Sequence, residues 1–279
     1  MNRHPLQPIT DEEVDAYEAD GIVVLRGLFD AGWVALLRQA ADEGLDRPTE
    51  FGEELAAARG DQGRFFHDTF MWRQNELCRR FVFDSPAAEI AAMLMRTEKV
   101  NIFFDQWLIK EPGTPARTPW HHDLPYWPID GWKICSLWLA LDPVTPESGA
   151  VEYIKGSHRW GRRYKPATFS GEHDYREPLP PVPDIDAMRD ELQIVQFELQ
   201  PGDCTVHHGL LVHGAPGNAR LDRRRRASVT RWAGDDAVYR PREGLQDMPA
   251  DPGIAPDGPI DCDLWPRVWP QAEHGRDPR

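Results

Sequence analysis

His121, His122 and Asp123 place two imidazoles and a carboxylate side by side, just before the aromatic residues Tyr126 and Trp127. In an extended strand successive side chains alternate between faces, so His121 and Asp123 should share one face and His122 the other. An imidazole and a carboxylate on a common face are two of the three ligands of a facial 2-His-1-carboxylate metal site. The same triplet also occurs at ordinary hydrogen-bonded strand ends, so this interpretation depends on a third ligand from elsewhere in the chain.

A third ligand is expected to be another histidine. The downstream histidines are His158, His173, His207, His208, His213 and His274. His207 and His208 should point to opposite faces of a strand, so at most one of them can join a given site. His213 ends an apolar run and precedes a turn rich in Gly, Pro and Asn, where a side chain can face a pocket mouth. Each of these three, taken alone, is equally well explained as a structural histidine.

An arginine-rich segment, 220–232, follows these histidines. Such a run is typical of a solvated surface, and here it would offset an acidic chain. It leads directly into an apolar strand, however, so alternate arginines should face inward or toward the edge of a barrel. A guanidinium that faces inward needs an anionic partner, and its planar fork suits a carboxylate. Two histidines, an aspartate and an inward arginine on a β-scaffold would fit iron and a dicarboxylate co-substrate.

The composition excludes several classes of protein. The net charge of −14 disfavours nucleic acid and anionic membrane surfaces as partners. The four cysteines lie far apart without a Cys-x-x-Cys pair, which argues against a structural zinc site or a disulfide framework and fits a reducing cytoplasm. The polar N-terminus has no signal-peptide core, and no apolar run approaches the roughly 20 residues of a membrane span. We therefore expect a cytoplasmic protein that acts on a small molecule.

Helix signals are concentrated in the first third of the chain. A capping box at Thr10 and Glu13 predicts a helix that ends at Gly21, and Asp30 should cap a second helix. The Ser85–Pro86 pair predicts a third helix start. The buried stripes should contain Val14 and Tyr17 in the first helix, Val34, Leu37, Ala41 and Leu45 in the second, and Ile90, Met93 and Leu94 in the third.

Short strands should follow in the rest of the chain. Strands are predicted at 22–27, 100–109, 133–141, 150–154, 194–199, 204–211 and 224–232, with irregular segments at 47–64 and 162–187. We predict a mainly β fold with flanking helices: a double-stranded β-helix (jelly roll, cupin-like) core rather than alternating βαβ units. One domain should span 1–279, with a helical buttress at about 10–98, the core at about 99–243 and an irregular tail at 244–279. Trp265 and Trp269 indicate that this tail packs back on the protein.

An ordered set of motifs over about 17–242 resembles the phytanoyl-CoA dioxygenase family of iron(II)/2-oxoglutarate oxygenases. The matching motifs are 21–29, Trp120–Asp123, 136–141, Ser148–Gly149, 156–158, 201–203, His213–Gly214 with Asn218, and 225–227. The resemblance implies that His121, Asp123 and His213 bind Fe(II), while 2-oxoglutarate and O₂ take the remaining positions. His122, on the other face, would then support a ligand or contact the co-substrate.

The resemblance also implies an arginine that binds 2-oxoglutarate on the strand after the distal histidine. Strict counting selects Arg224, whereas aligning the Arg-Arg-Ala that opens the strand selects Arg225. We prefer Arg225, because strand facing is set by register and loops absorb insertions. Trp138 and Gln106 would complete the co-substrate site. Ala215 stands where the family often has a serine, so a hydroxyl must be absent or supplied from elsewhere.

The implied activity is hydroxylation of an unactivated C–H bond, coupled to decarboxylation of 2-oxoglutarate to succinate and CO₂. Asp123 fills the ligand position that halogenating relatives leave open for chloride. Two alternatives are a cupin-like protein that binds a metal or a small molecule without redox activity, and a zinc hydrolase. Neither needs an arginine clamp for a dicarboxylate.

The substrate is less constrained by the sequence. Tyr126 and Trp127, together with Trp132, should wall the substrate side, although aromatic residues here could equally belong to the core. The segment 162–187 is a candidate lid that sets specificity. The acidic chain argues against a coenzyme A ester, despite the family name.

Overall fold

The computed structural model describes residues 1–55, 63–167 and 176–270. The helices in these ranges are α1 (Asp11–Asp20), α2 (Ala31–Asp46), α3 (Glu76–Asp84) and α4 (Ala87–Met95). The strands are β1 (Ile22–Leu25), β2 (Glu53–Glu54), β3 (Phe65–Thr69), β4 (Val100–Lys110), β5 (Thr118–His121), β6 (Ile129–Asp130), β7 (Ile134–Ala140), β8 (Glu152–Ile154), β9 (Ile194–Gln196), β10 (Cys204–His208), β11 (His213–Ala215), β12 (Arg225–Ala233), β13 (Val238–Tyr239) and β14 (Arg267–Trp269). None of the helices in the described ranges has the length and apolar character of a membrane span.

The first two helices begin where the sequence predicts, and the first also ends at the predicted glycine. Thr10 accepts a hydrogen bond from the Glu13 backbone N–H, and the Glu13 side chain accepts one from the Thr10 backbone N–H. Gly21 ends α1 with φ of +75°, a backbone conformation that other residues adopt only at a free-energy penalty. Asp30 caps α2 by accepting from the Trp33 backbone N–H. These local signals fix where β1 enters the sheet.

The other two helices differ from the sequence-based predictions. Helix α3 was not predicted, although Asn75 caps it by accepting from the Leu77 and Cys78 backbone N–H groups. In α4 the side chains of Ile90 and Leu94 are buried, but Met93 is 38% exposed. The prediction that Met93 belongs to the buried stripe is therefore wrong, because the residue lies beyond the edge of the packed face.

Two antiparallel sheets face each other and form a jelly roll, which confirms the predicted fold class. The large sheet has the order β1-β10-β7-β12-β4-β3-β2, and β14 also pairs with β4. The small sheet has the order β5-β11-β8-β9. A further pair joins β13 and β6.

Strand β7 shows how the large sheet separates two buried layers. Its seven residues are all buried, as the apolar sequence predicts. Leu137 and Leu139 pack with the helices in the main hydrophobic core, whereas Trp138 and Ala140 belong to a separate cluster on the other face. Even-numbered positions of β7 therefore face the space between the sheets, where a site can form.

Several predicted boundaries need correction. The strand predicted at 194–199 ends at Gln196. The strand predicted at 204–211 ends at His208, because the chain turns at Gly209, whose N–H donates to the Ile134 carbonyl. The segment 47–64, predicted to be irregular, contains the short strand β2. The described parts of 162–187 contain neither helix nor strand, as expected. The remaining residues of these two segments lie outside the described residues. The same is true of His173 and His274.

The C-terminal tail packs back on the large sheet, as Trp265 and Trp269 predict. Trp265 is fully buried beside Phe103, with 5.2 Å between ring centroids. Trp269 belongs to β14, which pairs with Val100 and Asn101 of β4. The tail thereby adds a short strand to the large sheet beside the start of β4, the strand that carries Gln106.

Candidate active site

The small sheet brings two of the predicted ligands together. His213 on β11 lies directly opposite His121 on β5, and their ring centroids are 4.2 Å apart. Asp123 reaches the same point by a different route from the one predicted. Strand β5 ends at His121, and Asp123 has helical dihedral angles at the start of a 3₁₀ turn. The shared orientation of His121 and Asp123 therefore comes from this turn and not from strand alternation.

The three side chains present one ligand atom each within 4.8 Å of one another. Nδ1 of His121 lies 2.8 Å from the Pro119 carbonyl oxygen, and Nδ1 of His213 lies 2.9 Å from the Leu211 carbonyl oxygen. A carbonyl accepts, so each Nδ1 carries the proton and each Nε2 presents its lone pair. These Nε2 atoms lie 3.6 Å and 3.9 Å from Oδ1 of Asp123. This donor set fits a divalent transition metal such as iron(II).

The second oxygen of Asp123 is engaged by the protein. Ser136 donates to Oδ2 over 2.6 Å, and Nε2 of His207 lies 3.3 Å from the same oxygen. Nε of Arg231 is 4.0 Å away. Oδ1 is thus the oxygen that faces the two histidines, so the protein presents Asp123 as a one-oxygen ligand.

Electrostatics favour the protonation states that bind a metal. Burial alone would raise the pKa of Asp123, but the positive charge of Arg231 and the neighbouring imidazoles of His121 and His207 hold it well below its usual range. Burial, reinforced by His121 and His207, holds the pKa of His213 well below its usual value. At neutral pH the site therefore combines a carboxylate anion with a neutral distal imidazole.

Arg225 lies inside the cavity between the two sheets. Its side chain is 1% exposed, and its guanidinium carbon lies 5.3 Å from the centre of the Trp138 ring. Burial lowers its pKa to about 10, so it remains a cation. Within the described residues its hydrogen bonding is limited to a 3.4 Å contact to the Leu108 carbonyl, and no carboxylate lies within ion-pair distance. A buried guanidinium without an ion-pair partner requires an anion that compensates its charge.

Arg224 lies outside this cavity, contrary to the alternative from strict counting. Its side chain is 38% exposed and forms ion pairs with Asp42 and Glu111. Arg224 immediately precedes Arg225, the first residue of β12, and consecutive residues of an extended chain face opposite sides. Arg225 is the inward residue.

His122 points away from His121 and Asp123, as predicted, whereas Trp132 differs from its predicted place. Nε2 of His122 accepts a hydrogen bond from the Tyr164 backbone N–H over 2.9 Å, and the residue does not line the cavity. A co-substrate contact by His122 is therefore not supported. Trp132 is 46% exposed and packs on His208, with 4.4 Å between ring centroids. His207 and His208 face opposite sides of β10, as predicted.

The cavity contains the other predicted residues and several that the sequence did not reveal. Tyr126, Trp127, Trp138 and Gln106 line it together with the three candidate ligands and Arg225. The unpredicted residues on its wall include Glu53, His67, Thr118 and Arg231. Arg231 was detectable in principle, since it lies six positions after Arg225 and shares its strand face.

Comparison with known proteins identifies this arrangement. Residues 17–227 match the phytanoyl-CoA dioxygenase (PhyH) family. The chain belongs to the phytanoyl-CoA dioxygenase family. The multifunctional dioxygenase prhA of Penicillium brasilianum is a relative that is 27% identical over 250 residues, which cover 81% of this chain and 73% of that protein. The ectoine dioxygenase of Sphingopyxis alaskensis is 25% identical over 225 residues, covering 76% and 72%.

A solved structure adds the chemistry of the cofactors. The epimerase SnoN from nogalamycin biosynthesis, in complex with Fe³⁺, α-ketoglutarate and nogalamycin RO, superposes with a TM-score of 0.74 at 25% identity. The match covers 92% of this chain and 98% of SnoN. The dioxygenase described here is accordingly an iron- and 2-oxoglutarate-dependent enzyme that acts on small-molecule substrates and uses O₂.

Proposed function

We propose that this dioxygenase hydroxylates an unactivated C–H bond of a small organic molecule, with His121, Asp123 and His213 as the iron ligands. The observation that carries the proposal is the convergence of three ligand atoms within 4.8 Å, with both histidines oriented by backbone carbonyls. Iron bound there supplies oxygen activation coupled to decarboxylation of 2-oxoglutarate to succinate and CO₂.

Asp123 directs the outcome toward hydroxylation. Its Oδ1 would fill the third protein position at bound iron, which halogenating relatives leave open for chloride. Ser136 and His207 hold Oδ2, so the carboxylate cannot swing away from the metal without losing both contacts. In this proposal the Asp123 carboxylate therefore fills the position that a chloride ion would need.

Arg225 binds the far carboxylate of 2-oxoglutarate in this proposal. The support is its burial without a carboxylate partner in the described part of the chain. Trp138 packs against the guanidinium, and Gln106 lines the same cavity. Thr118, which lies opposite Ala215 in the β5–β11 pairing, presents a hydroxyl where Ala215 has none.

Tyr126 and Trp127 form part of the substrate wall. The Tyr126 hydroxyl donates to the Ala167 carbonyl over 2.8 Å, so this wall is tied to the start of the irregular segment 162–187. That segment is the proposed lid. The pairing of β14 with β4 supports one oxygenase domain over 1–279.

Anaerobic spectroscopy tests the proposal. Adding iron(II) and then 2-oxoglutarate to the protein should produce a weak visible charge-transfer band, and admitting air should release succinate. A metal-binding protein without redox activity would bind iron but show neither signal. Absence of both the band and succinate would refute the proposed function.

A further inference from the structure

A row of polar side chains crosses four adjacent strands on the wall of the cavity. It contains Glu53 on β2, His67 on β3, Gln106 on β4 and Arg231 on β12, and all four line the cavity. Glu53 lies directly opposite His67. Gln106 pairs with Thr69 and Val229, so His67 and Arg231 are its diagonal neighbours, within reach of long side chains.

The hydrogen bonds along this row run in one direction. Nη2 of Arg231 donates to Oε1 of Gln106 over 2.6 Å. The amide nitrogen of Gln106 must then donate to Nδ1 of His67, 3.2 Å away. His67 consequently carries its proton on Nε2 and donates to Glu53 over 2.9 Å. The row therefore begins at its inner end with a hydrogen-bond donor, Arg231, and finishes at its outer end with the carboxylate of Glu53.

Arg231 forms the inner end beside the candidate metal ligands. It is 7% exposed, and its guanidinium carbon lies 4.5 Å from the centre of the Phe104 ring. Its Nε and Nη1 have no hydrogen-bond partner among the described residues, and Nε lies 4.0 Å from Oδ2 of Asp123. A buried cation with unfilled donors favours an acceptor oxygen nearby.

The charge in the inner cavity supports the same conclusion. Iron(II) and a 2-oxoglutarate dianion cancel each other in charge. Arg225 and Arg231 carry two positive charges on the cavity wall, and Asp123 offsets one of them. The other carboxylate on the wall, Glu53, lies at the outer end of the row and is separated from Arg231 by His67 and Gln106. The inner end of the row therefore keeps an excess positive charge. Apolar and aromatic side chains also line the cavity, among them Leu55, Phe65, Phe104, Tyr126 and Trp127.

We propose that Arg231 and Gln106 orient the substrate, and that the substrate is an apolar small molecule with a carboxylate or carbonyl oxygen, which accepts from Arg231 beside the metal. This inference rests on the proposed function, because it takes Asp123 as a metal ligand. Arg231 and Gln106 determine specificity in this scheme, whereas the row behind them holds the Gln106 amide in one orientation.

Three probes that share a ring and differ in their polar group test the inference. Cyclohexanecarboxylate, cyclohexanecarboxamide and cyclohexylmethylamine are titrated anaerobically into protein saturated with iron(II) and 2-oxoglutarate. Their dissociation constants are read from the change in the charge-transfer band and by calorimetry. The carboxylate and the carboxamide should bind, and the ammonium probe should not. The stronger of the two binders distinguishes a carboxylate from a carbonyl group.

Variants assign the effect to the row. Arg231→Met should raise the dissociation constant of the carboxylate roughly ten-fold or more, as expected for loss of a hydrogen bond to a charged group. Gln106→Leu should also weaken binding of the carboxylate probe, and it replaces Arg231→Met as the test if that variant does not fold. Arg224→Met makes the same change outside the cavity and should bind like the unaltered protein.

Several results would overturn the inference. These are equal binding of the ammonium probe, binding of none of the probes, or carboxylate binding that is unchanged in both Arg231→Met and Gln106→Leu. In each case, a normal charge-transfer band in the absence of a probe would show that the protein still binds iron(II) and 2-oxoglutarate. Absence of the band in the unaltered protein would instead refute the proposed function, and this inference with it.

Discussion

Ser136 on β7 holds Asp123 by a 2.6 Å hydrogen bond from Oγ to Oδ2. Ser136→Ala should weaken iron(II) binding by about ten- to one-hundred-fold, because residues that orient a metal ligand contribute on that scale. Anaerobic iron titration measures the change. Ser228→Ala is the matched control, since Ser228 lies opposite Leu139, which packs on the helix side of the sheet. Equal affinity in the two variants would contradict the orienting role of Ser136.

The two adjacent histidines should behave differently when each is replaced. His121→Ala should abolish iron(II) binding, because it removes a ligand atom that faces Asp123. His122→Ala should retain binding, because its imidazole contacts the Tyr164 backbone and not the cavity. Iron content after anaerobic loading and desalting distinguishes the variants. Loss of iron from His122→Ala with a folded protein would reverse this assignment.

Arg225 and its neighbour provide a similar pair. Arg225→Gln should raise the dissociation constant of 2-oxoglutarate by at least about ten-fold, because a charge-assisted hydrogen bond contributes roughly 1.5–3 kcal/mol. Arg224→Gln makes the same substitution at an arginine outside the cavity and should leave this dissociation constant unchanged. Titration of the charge-transfer band gives both constants. A larger effect from Arg224→Gln would instead identify Arg224 as the arginine that binds 2-oxoglutarate.

Asp123→Gly removes the carboxylate ligand and should abolish hydroxylation. The substitution also removes the partner of Ser136 and the nearby negative charge beside Arg231. Succinate release in the presence of substrate is the measurement. Turnover equal to that of the unaltered enzyme would remove Asp123 from the metal.

His208 should make the protein less stable in mild acid. Burial, together with the nearby His158, lowers its folded-state pKa to about 3, well below the unfolded value. As the pH falls below about 6.5 the unfolded chain binds a proton that the folded protein excludes, which reduces the free energy of unfolding by about 2 kcal/mol at pH 5.

Urea unfolding at pH 7 and pH 5 tests this contribution. His208→Gln should show a loss of stability between the two pH values that is smaller by about 2 kcal/mol than that of the unaltered protein. His4→Gln, at an exposed histidine, should not reduce the loss. An unchanged loss in His208→Gln would show that His208 does not contribute.

The amino-acid sequence by itself determined the features that depend on neighbouring residues. The caps at Thr10 and Asp30 and the burial of both faces of β7 follow from local sequence, because capping side chains and apolar runs act within a few residues. Strand periodicity predicted only that alternate arginines face inward, and the choice of Arg225 came from the family resemblance. Asn75 carried a comparable cap signal for α3, which the sequence-based prediction overlooked.

Tertiary structure decided how distant segments meet. The pairing of β5 with β11 places His213 opposite His121, and the turn after β5 places Asp123 beside both. Likewise Glu53 and Arg231 lie at opposite ends of one hydrogen-bonded row, although 177 positions separate them in the chain. Sheet order and cross-strand register arise from packing of the whole chain, so no local pattern specifies these contacts.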